Sequence, residues 1–325
     1  MKALVTGGAG FIGSHLCEHL LSLDHEVAVI DDLSSGRAEN IQQCMHDPHF
    51  HLTIDSITNE AAMECLTREC DIIYHLAAAV GVQMIIRSPL RCIETNVMGT
   101  AAVLRAASHH HRKVILASTS EIYGKSSQVP FAEESDRVLG PTTRSRWSYS
   151  ASKAVDEFLA LAYHSERRLP VVIVRLFNTI GPRQTGRYGM VVPRFVSQAL
   201  AGKPLTVYGD GTQTRCFADV RDAVHGIVAL AECDQAEGHV FNLGSTREIS
   251  IRDLASLVIG LTGSRSEVHY IPYDHAYEAG FEDTRRRVPD TSKVKALIGW
   301  QATIPLEESI RAVARELAGG GGYHD

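Results

Sequence analysis

The chain has 325 residues, 44% hydrophobic and 22% charged, which is ordinary for a soluble globular protein and enough for one large or two smaller cores. A net charge of −6 gives no electrostatic reason to bind nucleic acid or an anionic membrane, and no apolar run reaches the roughly 18 residues a membrane span needs. The opening MKALVTGGAG enters a strand at once, with no apolar h-region or cleavage site, so a cytoplasmic protein is expected. Seven scattered cysteines without a C-x-x-C fit free thiols in a reducing compartment. His109, His110 and His111 are adjacent, and neighbours on a helix point in different directions. A solvated helix end is therefore expected there, and no metal.

In chain order, apolar runs at 2–6, 26–30, 51–54, 71–76, 114–119 and 171–176 read as buried strands bounded by Gly, Asp or polar clusters. Helix-length segments such as 12–23 and 96–109 lie between them. That alternation implies a parallel sheet with helices on both faces. Beyond residue 178 the pattern changes. A Gly-, Pro- and Arg-rich stretch at 178–193 suggests a binding loop. Helix 194–201, strand 205–207, helix 219–231, strand 240–242 and helix 251–261 follow. The expected division is 1–178 for a first domain, 179–317 for a smaller α/β lobe with some chain crossing back, and 318–325 for a flexible glycine-rich tail.

Gly7-Gly8-Ala9-Gly10-Phe11-Ile12-Gly13 follows the first strand and opens the first helix. Glycines 7, 10 and 13 let the turn tighten and a pyrophosphate approach the backbone at the helix N-terminus. Asp31 ends the second strand, eighteen positions after Gly13, where a carboxylate can accept from adenosine ribose hydroxyls. This is a Rossmann-type, doubly wound α/β sheet with a dinucleotide site. Asp31 and Asp32 together would repel a 2′-phosphate and favour NAD, although Arg37 is the kind of residue that serves NADP. Asp55 lies where the adenine edge should sit. His75-Leu76-Ala77-Ala78 closes the fourth strand under the cofactor, with His75 read as a packed strand-end residue.

Tyr149 and Lys153 are four apart in a helical stretch, so they share a face. A nearby ammonium and a positive nicotinamide ring would lower the phenol's pKa, letting Tyr149 take a proton from a sugar hydroxyl. Thr119-Ser120-Glu121 follows the fifth strand at the carboxyl edge, and the Thr119 hydroxyl can share that substrate hydroxyl.

Together, Gly-x-x-Gly-x-x-Gly, His-Leu-Ala-Ala, Ser-Thr-Ser-Glu-x-Tyr-Gly, Tyr-x-x-x-Lys and Arg-x-Phe-Asn resemble the extended short-chain dehydrogenase/reductase family of nucleotide-sugar epimerases, dehydratases and decarboxylases. The resemblance runs from residue 2 to about 317. It includes Pro204-Leu205-Thr206-Val207-Tyr208-Gly209-Asp210-Gly211 and Gln213-Thr214-Arg215, similar to the family's nucleotide-binding segment. It implies that Tyr149 deprotonates a sugar C4 hydroxyl, that NAD takes the C4 hydride, and that Lys153 holds the nicotinamide ribose. It also implies Asn178 and Arg215 at the diphosphate, and Arg183, Arg187 and Tyr188 in a loop over the sugar. Arg215 could instead pair with Asp219 or Asp222.

Three positions separate the outcomes. Ser120 stands where 4,6-dehydratases of the family carry an acid, which counts against dehydration. Gly280 stands where many 4-epimerases carry a diphosphate-binding arginine. Arg287, three before Asp290, has the spacing of UDP-glucuronate decarboxylases, and the segment from Arg146 to Lys153 resembles a bacterial decarboxylase domain. The bland reading of Arg285-Arg286-Arg287 is a solvated basic stretch. The resemblance thus implies decarboxylation of UDP-glucuronate to UDP-xylose or UDP-4-keto-pentose, with Arg287 on the carboxylate. The alternative is a UDP-sugar 4-epimerase, and a cofactor-binding protein without turnover would need a broken catalytic set. Helices 96–109 and 149 onward are apolar on more than one face, and the family pairs them with symmetry mates as a homodimer's four-helix bundle.

Overall fold

The structure, a computed structural model, describes residues 1–81, 88–186, 190–272 and 284–319. Seven strands form one parallel sheet in the order β11-β6-β5-β4-β1-β2-β3. These are β1 Lys2–Thr6, β2 Glu26–Asp31, β3 Phe50–Ile54, β4 Ile72–His75, β5 Lys113–Thr119, β6 Val171–Leu176 and β11 His239–Leu243. The inner strands are apolar runs buried on both faces, as parallel strands covered by helices must be, whereas the edge strand β3 is only partly covered. The strand order reverses between β1 and β4, whose ends meet where Thr6 pairs with His75. In open α/β sheets the ligand crevice forms at such a reversal.

The turn after β1 is built by glycine. Gly7 has φ +73°, and a Cβ at Gly13 would stand 2.1 Å from the Gly7 carbonyl oxygen. Helix Phe11–Ser22 starts at Gly10 with no side-chain cap, so its first N–H groups face the crevice unclaimed by a cap.

Chain from the second half returns to the first core. Helix Val220–Ala231, β11, Val294 and Trp300 pack with the helix Phe11–Ser22 side of the sheet. A second core joins helices Val191–Leu200, Ile251–Thr262 and Leu306–Ala318 beside short β8 Leu205–Tyr208 and β13 Val268–Ile271. Two further small sheets pair β7 Thr179–Ile180 with β10 Ala218–Asp219 and set β9 Thr214–Cys216 between β12 Glu248–Ser250 and β14 Arg286–Arg287.

Three sequence expectations are corrected. The helix expected from residue 96 is a composite, Pro89–Ile93, a π-turn Glu94–Met98, then Gly99–His110. The π-turn, which no periodicity signals, aims Asn96 at the Ala79 N–H (2.8 Å) and the Ser152 hydroxyl (3.1 Å). The histidines do not all splay apart either. His109 and His110 both reach Glu64, at 2.6 and 2.7 Å, because the helix ends at His111 and a carboxylate from the neighbouring helix Glu60–Glu69 lies between them. Arg183 does not reach over the cleft. Its main chain takes Glu316 and its guanidinium Glu18, tying two helices together. All seven cysteines are free thiols.

Candidate active site

The carboxyl ends of the central strands open into one cleft of about 480 Å³, walled opposite by the smaller lobe. Gly7, Gly10, Phe11, Ile12, Gly13, Asp31, Asp32, Asp55, Leu76, Ala77 and Ala78 all line it. Asp31 is buried, and each of its oxygens already takes a main-chain N–H, Ala9 at 2.9 Å and Leu33 at 2.8 Å. Burial raises its pKa while those two bonds oppose the rise. A carboxylate oxygen has a second lone pair, so Asp31 both shapes the turn and can still accept from a ligand. Asp32 is exposed and caps Ser34. Asp55 takes Ser56 N–H and Asn59, each at 2.7 Å. The cradle at Gly13 and the helix N-terminus fit a pyrophosphate, so the donor set suits a dinucleotide.

His75 is the packed residue expected, with Nδ1 2.8 Å from the Thr6 hydroxyl and Nε2 2.9 Å from Thr100. Burial, and secondarily the charge of Lys153, push its pKa down to about 3, so the ring is neutral.

Helix Ser148–Arg167 places Tyr149 at the cleft and Lys153 one turn deeper. Tyr149 hydrogen-bonds to Thr119, which also lines the cleft. The phenol is nevertheless held well above its ordinary pKa. Burial dominates, Glu121, Cys92 and Asp156 add to it, and Thr119 opposes. Burial thus outweighs the Thr119 bond, and the lowered phenol expected from sequence is not a property of the chain alone; the Lys153 ammonium lies 2.8 Å from Asp156 Oδ2.

Glu121, on the turn directly after β5, meets a guanidinium from each half of the chain. Its Oε1 accepts from Arg287 at 2.9 Å and its Oε2 lies 2.5 Å from Arg146. Burial alone would raise its pKa, but the two guanidiniums outweigh it and hold the carboxyl well below the usual range. Arg287 is 7% exposed, which rules out a merely solvated basic stretch for that residue, whereas Arg286 is exposed and pairs with Glu248. Ser120 lines the cleft where an acid would serve dehydration.

On the nucleotide side, Arg215 lines the cleft and donates to the carbonyls of Thr214 and Thr284, both at 2.8 Å. Its alternative role with Asp219 or Asp222 is corrected. Arg221 takes Asp219, and Asp222 caps Thr303 and Ile304. Asn178 lines the cleft while donating to the Cys216 carbonyl at 3.2 Å. Tyr208 lines it with Arg194 4.2 Å over its ring. Val207 is corrected too. Alternation along β8 turns Leu205 and Val207 into the second core and leaves Tyr208 at the cleft. Arg187, Tyr188 and Gly280 lie outside the described residues.

The sequence reading missed Arg146, Arg194 and Phe217 as lining residues and named Gln213 only within the nucleotide-binding segment. Only Arg146 carried a local signal, its place three residues before Tyr149. The rest come from elements whose approach to the first domain no spacing encodes.

Residues 4–313 match the family model described as GDP-mannose 4,6 dehydratase. The chain is 40% identical to the UDP-N-acetyl-alpha-D-glucosaminuronate decarboxylase of Bacillus cytotoxicus, over 95% of each chain. It is 38% identical to UDP-glucuronic acid decarboxylase 1 of Xenopus tropicalis, over 95% of this chain and 70% of that one. Among solved structures it is similar to the UDP-glucuronic acid 4-epimerase from Bacillus cereus in complex with UDP-glucuronic acid and NAD. The TM-score is 0.89 at 31% identity, covering 98% of this chain and 99% of that one. A match over nearly the whole length, with the glycine turn, the Thr119–Tyr149 pair and the buried Lys153 in place, means that the chain belongs to the GDP-mannose 4,6-dehydratase family of extended short-chain dehydrogenases/reductases.

Proposed function

We propose that the protein is an NAD-dependent decarboxylase of UDP-glucuronate, working through a 4-keto intermediate to UDP-xylose or UDP-4-keto-pentose. The observation that carries this reading is the clamp at Glu121. Two buried guanidiniums, Arg146 and Arg287, converge on one carboxylate beside the Thr119–Tyr149 pair. The planar fork of Arg287, at the cleft, suits a substrate carboxylate, and a neutral sugar has no need of it.

Residues 1–178 hold the cofactor and 179–317 carry the nucleotide, with Asn178, Tyr208 and Arg215 toward the diphosphate and Arg187 in the covering loop. NAD, when bound on the glycine turn and Asp31, supplies the acceptor for the C4 hydride. Tyr149, as the phenolate that the nearby ammonium and a positive nicotinamide ring would favour, accepts the C4 hydroxyl proton, with Thr119 orienting that hydroxyl. The carboxyl group then lies β to a ketone. The C5–C6 bond breaks, CO₂ leaves, and its electron pair forms the C4 enolate. The protonated Tyr149 is placed to return a proton to that oxygen. Arg287 orients the carboxylate before it leaves, and Glu121, ionised across the working pH range, keeps Arg287 in place. Ser120 offers no acid for loss of a hydroxyl.

Incubation with UDP-glucuronate, UDP-N-acetylglucosaminuronate and UDP-glucose separately, with products read by mass and NMR, tests the reading. CO₂ loss from a uronate is expected. A C4 epimer without CO₂ would establish the epimerase alternative, which the uronate-bound structural relative favours. CO₂ loss from the N-acetylated uronate alone would keep the chemistry and change the sugar.

The protein acts as a cytoplasmic homodimer. Among the described residues no helix is long and apolar enough to cross a membrane. Val155 and Phe158 are exposed on helix Ser148–Arg167, as are Leu90, Ile93 and Met98 on the neighbouring segment. Phe158 is 64% exposed and Leu90 67%, an apolar stripe that a four-helix bundle with a second copy would cover. A monomer mass by light scattering at micromolar concentration would refute the dimer.

A further inference from the structure

Helix Ser148–Arg167 carries Tyr149, Lys153 and Asp156 at i, i+4 and i+7, so all three lie along one face. Asp156 is 0% exposed and Lys153 2% exposed, and their charged ends are 2.8 Å apart. Lys153 is the one cation acting on Asp156 among the described residues. Neither Asp156 oxygen has a well-aligned hydrogen-bond donor, although the Thr100 hydroxyl faces the carboxylate. Glu157, the next residue, makes the contrast. Its oxygens take Arg175 at 2.9 and 2.7 Å and the Ser118 hydroxyl at 2.5 Å, and it stands away from the cleft.

We propose that Asp156 is a positioning residue of the catalytic pair, a buried counter-ion that holds the Lys153 ammonium in place beneath Tyr149. The inference rests on reading Tyr149 and Lys153 as the catalytic pair. A lone buried ion pair is a poor stabiliser, since apolar residues of similar volume serve at least as well. Its use is to fix a side chain. Lysine has many rotamers, and ordering it in advance removes that entropy cost from the reactive geometry. Asp156 is itself seated on a buried relay. Thr100, which faces it, binds His75, His75 binds Thr6, and Thr6 Oγ1 accepts from Ala77 N–H at 3.1 Å on the cofactor floor. The lysine anchor and the cofactor floor are thereby one connected unit.

The test compares Asp156→Asn, Lys153→Met and the double variant in NAD-loaded protein, measuring thermal stability, NAD affinity and steady-state kinetics with the uronate that wild type decarboxylates. Asp156→Asn is expected to lower kcat roughly 10–100-fold with KM nearly unchanged. The double variant is expected to lose no more kcat than Lys153→Met alone, and to be more stable than it, because Lys153→Met strands the Asp156 charge. Wild-type kcat in Asp156→Asn overturns the proposal, as do losses that simply add in the double variant. If Asp156→Asn does not fold, the Lys153→Met background decides. A double variant at least as stable as Lys153→Met supports Asp156 as the lysine's counter-ion, and a less stable one makes Asp156 structural and overturns it. The stability comparison needs no substrate, so a wild type that turns over no nucleotide-sugar would remove the functional reading while Asp156 is still decided.

Discussion

The two walls of the cleft are made of different material. The cofactor wall is mostly main chain, with a glycine turn, an uncapped helix N-terminus and Asp31 bonded to two N–H groups, two and twenty-two residues away. The sugar wall is made of side chains, and its central ion pair, Glu121 with Arg287, joins positions 166 apart. Main-chain geometry is common to any chain that makes the turn, and so it specifies the cofactor class. Charged side chains brought from distant segments can be exchanged without refolding the turn, and so, on the proposed reading, they would specify which sugar reacts and how.

The largest effect should follow from the residue that joins the two walls. Tyr149→Phe removes the phenol shared with Thr119 while keeping the ring that packs against Ala79 and Cys92. Turnover should fall on the order of 10²–10⁴-fold, with fold and NAD affinity retained. A variant near the wild-type rate would show that the base lies elsewhere.

Arg287→Lys breaks the sugar wall alone. Lysine keeps the charge and loses the planar fork that meets Glu121 and a carboxylate. CO₂ release from the uronate should drop roughly 10²-fold, as for a reacting group displaced by about an ångström. Arg287→Ala should lose at least as much, and NAD affinity should hold in both. Full CO₂ release by both variants would separate Arg287 from the chemistry.

The same contrast governs what was legible in the sequence. The strands and the glycine turn were readable because apolar runs and glycine spacing are local properties. Asp31 followed because it ends a strand next to that turn. The π-turn at Glu94–Met98 was hidden, since one inserted residue leaves no periodic mark. Arg146 was visible only as part of a segment, because its role depends on Glu121 from another strand's end. Val207 was misplaced because a motif names a segment, and only strand alternation decides which of its side chains faces the ligand. The Tyr149 proton affinity of the chain alone was not legible either, because burial dominates it and spacing does not show burial.

Asp31→Ala tests the cofactor wall by itself. Losing a hydrogen bond to a charged group costs about 1.5–3 kcal/mol, or roughly 10–150-fold in NAD affinity. The Ala9 and Leu33 N–H groups also lose their acceptor, so thermal stability should fall with it. CO₂ release at saturating NAD should be much less affected. An unchanged NAD dissociation constant would remove Asp31 from the site.

The smallest effect concerns the floor beneath both walls and appears only as a dependence on pH. Burial holds the folded His75 pKa at about 3, far below the ordinary histidine value. An unfolded chain takes up that proton as pH falls through about 6.5, whereas the folded chain does not until about pH 3. Stability from this residue is therefore full above pH 6.5 and declines as pH drops toward 3, by at most about 1.4 kcal/mol per unit. His15 and His19 are also held down by burial and share part of the decline. His75→Gln keeps groups that can bond Thr6 and Thr100 but cannot titrate, so its melting temperature should fall less than wild type between pH 7 and pH 5. Above pH 5 few carboxylates with ordinary values are protonated, so the difference between the two proteins belongs to the imidazole. Identical slopes in the two proteins would mean that His75 is not the neutral, buried link between the cofactor floor and Thr100.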